Sequence, residues 1–307
     1  MIVAAAILWA LVGLTVAAAV WGLLIEPNRL EVAELTVPLP RLPETLRGLR
    51  LGQISDLHLD GHRATHALAQ RACAEILLRS PDLICVTGDV VQRMQNRPEG
   101  VRMLGQLSAP GGVYLVLGNH DCDATLEDFL WGEPGDDTTE PGWRQALADT
   151  PVTLLDNEWH ATERRGERLV VAGVGDVSVG RDDLPAALGG APEGGLRLLL
   201  SHSPDVLDLP GVEWADLVLC GHTHGGQLRL PRLGSAWAPV WRLRQRASGL
   251  LRLSHTAVFV TRGVGAGVRL RFNCPPQVAV LTLVPGSLER LPATAACPLP
   301  QEASSCV

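Results

Sequence analysis

The chain has 307 residues, 46% of them hydrophobic and 19% charged, enough for one large domain or two small ones with a buried core. All 26 basic residues are arginine, a compositional bias with no functional meaning of its own; the formal net charge of −7 argues against nonspecific nucleic-acid binding, which needs a basic field to neutralise phosphates. Seven cysteines without framework spacing argue against a disulfide scaffold, and Cys85 and Cys220 sit inside apolar runs and read as small core residues.

In chain order, residues 1–26 come first, with no charge from Ile2 to Ile25. At ~1.5 Å rise per residue this run can cross a ~30 Å hydrocarbon core. Trp9 and Trp21 suit its two interfaces, so a single-pass segment in the cell membrane is expected. No Lys or Arg precedes the run, as a cleaved signal peptide requires, yet Ala17-Ala18-Ala19 offers small residues of the cleavage type. Anchor and signal-anchor both stay open. Arg29, Arg41, Arg47 and Arg50 lean toward a cytoplasmic catalytic domain, with the side left open. Residues 27–48, proline-rich, read as a linker or edge segment.

The globular part, 49–288, alternates strands and helices at its start. Strands are expected at 49–54, 82–87 and 113–117, and helices at 65–79, closed by Ser80-Pro81, and at 99–107. Residues 123–149, acidic and glycine-broken, suit short helices. Beyond them, strands are expected at 152–155, 168–174, 196–200, 217–220, 257–261 and 278–284, with short helical pieces at 182–188 and 204–209. Many strands with few connecting helices predict a two-layer β core with helices outside. The segment 289–307, most clearly from 293, reads as a disordered tail.

Five apolar runs end in ligand-type side chains. They precede Asp56-Leu57-His58, Gly88-Asp89, Gly118-Asn119-His120-Asp121, Ser201-His202 and Gly221-His222-Thr223-His224. If those strands share a sheet their carboxyl ends meet, where open α/β sheets place ligands. Asp56, His58, Asp89, Asn119, His202, His222 and His224 supply two carboxylates, one amide and four imidazoles, enough for two divalent ions if Asp89 bridges them. Oxygen and nitrogen donors without thiolate favour manganese, iron or zinc over calcium. In extended backbone, Asp56 and His58 share a face, as do His222 and His224. Gly88, Gly118 and Gly221 let the chain turn sharply beside a crowded centre.

In this order the motifs resemble the calcineurin-like metallophosphoesterases, from about Leu49 to Leu283. The stretches 200–205, 221–227 and 271–276 resemble their bacterial membrane-associated, YkuE/YaeI-like branch. The resemblance implies a four-layer α/β/β/α sandwich and a dinuclear centre. Asp56, His58 and His224 would hold one metal, Asn119, His202 and His222 the other, and Asp89 both. Gln92 stands where the family often has an acidic residue. The implied reaction is attack of a metal-bridging hydroxide on a phosphodiester or pyrophosphate, with His120 facing the substrate as general acid and Asp121 beside it as an orienting group; the other reading of His120 is a hydrogen-bonder that supports the ligands from behind.

With the membrane segment, a lipid-linked substrate of the UDP-diacylglucosamine type is expected, and a small soluble phosphoester is the second reading. A membrane-tethered scaffold whose metals only stabilise the fold is the reading from another class. Residues 229–252 interleave Trp237, Trp241, Arg242, Arg244 and Arg246, either as a lip for anionic groups or as an ordinary surface loop.

Overall fold

The computed structural model describes residues 2–122, 139–230, 234–235 and 247–293. The helices are α1 (Ile2–Val20), α2 (Arg63–Leu78), α3 (Arg97–Leu104), α4 (Thr139–Leu147) and α5 (Leu184–Leu188). The strands run β1 (Glu31–Leu39), β2 (Arg50–Ile54), β3 (Leu83–Thr87), β4 (Val113–Val116), β5 (Val152–Leu154), β6 (Glu158–Arg164), β7 (Glu167–Gly173), β8 (Leu196–Leu200) and β9 (Leu217–Cys220). They continue with β10 (Arg229–Leu230), β11 (Gly234–Ser235), β12 (Gly249–Leu253), β13 (Thr256–Val260) and β14 (Gln277–Pro285).

Two six-stranded sheets result, ordered β1-β14-β2-β3-β4-β5 and β12-β13-β9-β8-β7-β6. The period-2 alternation of each strand sorts its side chains between two layers. In β3, Leu83 and Cys85 face the second sheet, where Tyr114, Leu198, Leu217 and Phe259 fill the central core. Ile84 and Val86 face outward onto Ala69, Ala72 and Ile76 of α2 and Leu104 of α3. On the other outer face, Val218 and Val258 meet Leu184, Ala187 and Val206. Burial on both faces explains why these strands read as unbroken apolar runs and fixes the α/β/β/α layering. A polar link also joins the sheets: Gln53 Nε2 donates to the Cys220 carbonyl at 3.0 Å.

The proline-rich stretch after the apolar run is an edge strand: β1 pairs in parallel with β14, register Glu31 to Gln277. Four further strands were not expected from the sequence, the two-residue pair β10 and β11 among them. The residues of β6 (EWHATER) alternate polar and exposed positions at a sheet edge, and β12 begins inside the segment read as a lip. Within the expected tail, Leu291 packs on the central core and the Pro292 carbonyl accepts from Arg252 N at 2.9 Å, so residues 289–293 belong to the folded body. Residues 123–138 of the expected short helices, the lip residues Trp237, Trp241, Arg242, Arg244 and Arg246, and the tail from 294 lie outside the described residues.

Helix α1 continues through a π turn (Trp21–Ile25) and a 3-10 turn (Glu26–Asn28). By length and composition Ile2–Asn28 can cross a membrane, and its most apolar window buries nothing against the rest of the chain.

Candidate metal centre

Five strand ends bring Asp56, His58, Asp89, His202, His222 and His224, together with His120, to one place. β2, β3 and β4 of the first sheet and β8 and β9 of the second terminate there, at the seam where Thr87 O accepts from His202 Nδ1 at 2.8 Å. Two donor groups, Asp56–His58–His224 and Asp89–His202–His222, each place ligand atoms within 4.8 Å of one another; a third combines His58, Asp89 and His120. Asp89 joins them: its Oδ2 lies 3.4 Å from His58 Nε2 and 3.2 Å from His202 Nε2.

The backbone reaches this arrangement differently from the extended geometry expected of the two His/Asp pairs. Asp56, His58, Asp89, His222 and His224 all adopt left-handed φ, between 46° and 67°. Each such non-glycine residue costs roughly 1–2 kcal/mol, and such residues cluster where the surroundings over-determine them for function. Here the hold is explicit. Asp56 N donates to Gly88 O at 2.9 Å, His58 N to Asp89 O at 3.0 Å, and His222 N to Asp56 Oδ1 at 3.1 Å. Side chains therefore converge through tight turns, not along one strand face.

All three flanking glycines are required by close approach, Gly88 against the His202 ring and the Gly118 amide. A Cβ on Gly118 would strike the Asp89 carboxylate, and one on Gly221 would strike the Ser55 hydroxyl and come within 2.7 Å of Asp56 Oδ2.

Burial sets the protonation pattern. It pushes His58 and His222 down to about 4 and His224 well below its ordinary value, leaving neutral rings with nitrogen lone pairs. It pushes the Asp56 carboxyl up to about 6. Burial also works against the charged form of Asp89, yet the His202, His120 and His58 rings around it hold its carboxyl well below the usual range. His202 responds in the opposite sense: burial disfavours its charge, but Asp89 raises it well above the ordinary imidazole range.

Two buried atoms, Asn119 Oδ1 and His224 Nδ1, have no hydrogen-bond partner. Converging carboxylates, neutral imidazoles and orphaned donor atoms fit divalent cations.

His120 is half-buried, its ring 4.8 Å from the His58 ring and its backbone N donating to Asp89 Oδ1 at 3.0 Å. Asp121, expected beside it as an orienting group, is engaged elsewhere. Its oxygens accept from the backbone amides of Val90 (3.2 Å), Val91 (3.1 Å) and Gly118 (3.1 Å), and burial pushes its carboxyl up to about 7. It ties the β3 and β4 loops together. Orientation of the imidazole comes from Gln92, whose backbone carbonyl accepts from His120 Nδ1 at 3.2 Å.

The side chain of the same residue serves His58: Gln92 Oε1 accepts from His58 Nδ1 at 2.8 Å, which turns Nε2 toward Asp89. Gln92 was visible in the sequence only as a departure from an acidic residue. Gly263 and Gly265, against Asp56 and Leu57, gave no signal of their own. Replacing Gln92 with leucine is expected to weaken metal affinity about 10–100-fold with the fold intact, measured by titrating the metal-free protein. Unchanged affinity would show that the His58 ring is fixed without it.

Residues 49–226 match the calcineurin-like phosphoesterase family model. Phosphodiesterase YaeI of Escherichia coli is 34% identical over 235 residues, covering 75% of this chain and 80% of that protein. UDP-2,3-diacylglucosamine pyrophosphatase LpxG of Chlamydia trachomatis is 29% identical over 309 residues, covering 85% and 92%. A protein of Danio rerio named as a transmembrane protein with metallophosphoesterase domain is 31% identical over 288 residues, covering 88% of this chain and 61% of its own length. A site of this composition, on these strand ends, in a chain with these relatives places it in the calcineurin-like phosphoesterase family, as a metal-dependent phosphoric ester hydrolase.

Proposed function

We propose that this chain is a single-pass membrane enzyme that hydrolyses a phosphodiester or pyrophosphate bond on a lipid-linked substrate. The reaction class rests on one observation above all, the Asp89 carboxylate shared between two donor groups. Asp56, His58 and His224 would hold one divalent cation, Asn119, His202 and His222 a second, and Asp89 both. When bound, such a pair polarises the phosphoryl oxygens and activates the attacking water. The carboxylates of Asp56 and Asp89 offset only part of the charge of two divalent ions, so the centre attracts an anionic phosphoester.

The chain's own contribution at the leaving side is His120. Its Nδ1–H donates to the Gln92 carbonyl, leaving Nε2–H to protonate the departing oxygen. Asp121 acts one step away, by fixing the loop on which His120 sits.

The lipid-linked substrate is supported by the uncharged run from Ile2 to Ile25 and by the likeness to LpxG, a pyrophosphatase of a diacylated sugar nucleotide. Chelation is expected to abolish hydrolysis of bis-p-nitrophenyl phosphate, and manganese, iron(II) or zinc to restore it. A membrane-lipid extract should contain a competing substrate, UDP-2,3-diacylglucosamine being the first species to assay. No turnover of the soluble diester with both ions bound overturns the reaction. Turnover of that diester with no lipid consumed overturns the substrate class.

A further inference from the structure

The foot of α1 is built into the folded body. Gly22 lies against the segment 270–271: its carbonyl accepts from Arg271 N at 2.9 Å, and a Cβ there would stand 3.1 Å from Leu270 Cδ1. Glu26 is only 2% exposed, although it follows an apolar run at the surface. One of its oxygens accepts from Trp21 Nε1 at 2.6 Å, and the other accepts from the Cys274 backbone amide. Asn28 is held from two sides, its side-chain oxygen by Arg269 Nη2 at 2.9 Å and its carbonyl by Arg71 Nη1 at 3.3 Å. A buried carboxylate with both oxygens satisfied fixes the angle at which a helix leaves a domain, because tilting it would strand polar groups away from water.

The loop that receives this foot is also the back wall of the metal centre. Gly263 packs on the Asp56 side chain and Gly265 on the Leu57 carbonyl, each too close for a Cβ. A Cβ on Gly267 would lie 3.4 Å from the Gln92 Oε1 that orients His58. At the far end, Cys274 Sγ donates to the His224 carbonyl at 3.3 Å. The fully buried Arg271 guanidinium ties the loop together, donating to the carbonyls of Gly265 (2.6 Å), Arg262 (3.1 Å) and Cys274 (3.2 Å). Between these anchor points Val268 stands 67% exposed. Arg29, its guanidinium 5.4 Å over the Trp21 ring, and Arg71 are exposed beside it at the end of the apolar helix.

We propose that residues 263–274 clamp the foot of α1 to the metal centre, so that the site works at the headgroup plane of an anionic bilayer, with Val268, Arg29, Arg71 and Arg269 meeting that surface. This rests on α1 being a retained membrane span. The occupant follows from chemistry. The last uncharged residue of the run is Ile25, Trp21 sits where an indole prefers the interface, and arginines immediately beyond it suit anionic headgroups. A flexible tether would let the catalytic body sample many orientations, whereas this clamp selects one.

The test uses the full chain in vesicles of phosphatidylglycerol and phosphatidylethanolamine doped with a phospholipid carrying a photoactivatable diazirine on its headgroup. Mass spectrometry should place the label on 266–271 and near Arg29 and Arg71. Inserting a Gly-Ser segment of about ten residues between Val20 and Trp21 should lower loop labelling about tenfold and leave bis-p-nitrophenyl phosphate turnover unchanged. In a second variant, Glu26→Ala, amide hydrogen exchange over 270–274 should accelerate. No label on the loop of the wild-type chain, equal label after the insertion, or a mature chain lacking residues 2–20 overturns the clamp. Labelling does not depend on the substrate. A labelled loop without lipid turnover sinks only the substrate reading, and lipid turnover with an unlabelled loop sinks only the clamp.

Discussion

Asp89→Asn is expected to lower kcat/KM by about a thousandfold or more and to reduce bound metal below two ions per chain, as read by elemental analysis of the purified protein. Asparagine keeps the shape of the side chain and can still accept from His120 N, the bond that Asp89 Oδ1 makes at 3.0 Å. It removes the negative charge that faces His58 and His202 at 3.4 and 3.2 Å. Several kcal/mol of electrostatic stabilisation depend on holding two cations together, and each 1.36 kcal/mol is tenfold in rate. Activity within tenfold of the parent chain, with both metals present, would mean that Asp89 bridges nothing.

His120→Ala should separate chemistry from metal binding. The ring lies in one donor group with His58 and Asp89, so its position alone allows either a ligand or an acid. If it is the acid, metal content stays unchanged and kcat falls by about 10²–10⁴ for esters with alkoxide leaving groups. For p-nitrophenyl esters the loss should be about tenfold or less, because p-nitrophenolate departs without a proton. A parallel loss of metal, or equal losses for good and poor leaving groups, removes the general-acid role.

The seven candidate donor residues were legible in the sequence because they cluster just behind apolar runs, and a run buried on both faces ends where its sheet ends. Six of the seven lie in donor groups of the folded chain, Asp56–His58–His224 and Asp89–His202–His222, and a third group joins His58 and Asp89 to His120. The strands that carry them fall within a residue or two of the expected bounds, as at β8 and β9. By contrast β6, at a sheet edge, buries none of its residues and carries no continuous apolar signal, and β12 is a short run whose start lies inside the segment read as a lip. The proline-rich stretch was readable as an edge, but its partner, β14, lies some 240 positions away and no local pattern names it.

Roles within the site divide the same way. Asp121 stands next to His120 in the chain, and adjacency suggested a pair; the 3-10 turn at 119–122 instead points its carboxylate at three backbone amides. Gln92 could be placed beside His58 and His120 only once β2, β3 and β4 were side by side. The sequence by itself determined which atoms can bind cations, since donor chemistry and apolar runs are local properties. Which donor atoms come together, which ring is turned by which residue, and how the apolar N-terminal helix meets the folded body were decided by tertiary structure alone. Those are relations between residues brought together by sheet pairing and left-handed turns, and a one-dimensional pattern carries neither.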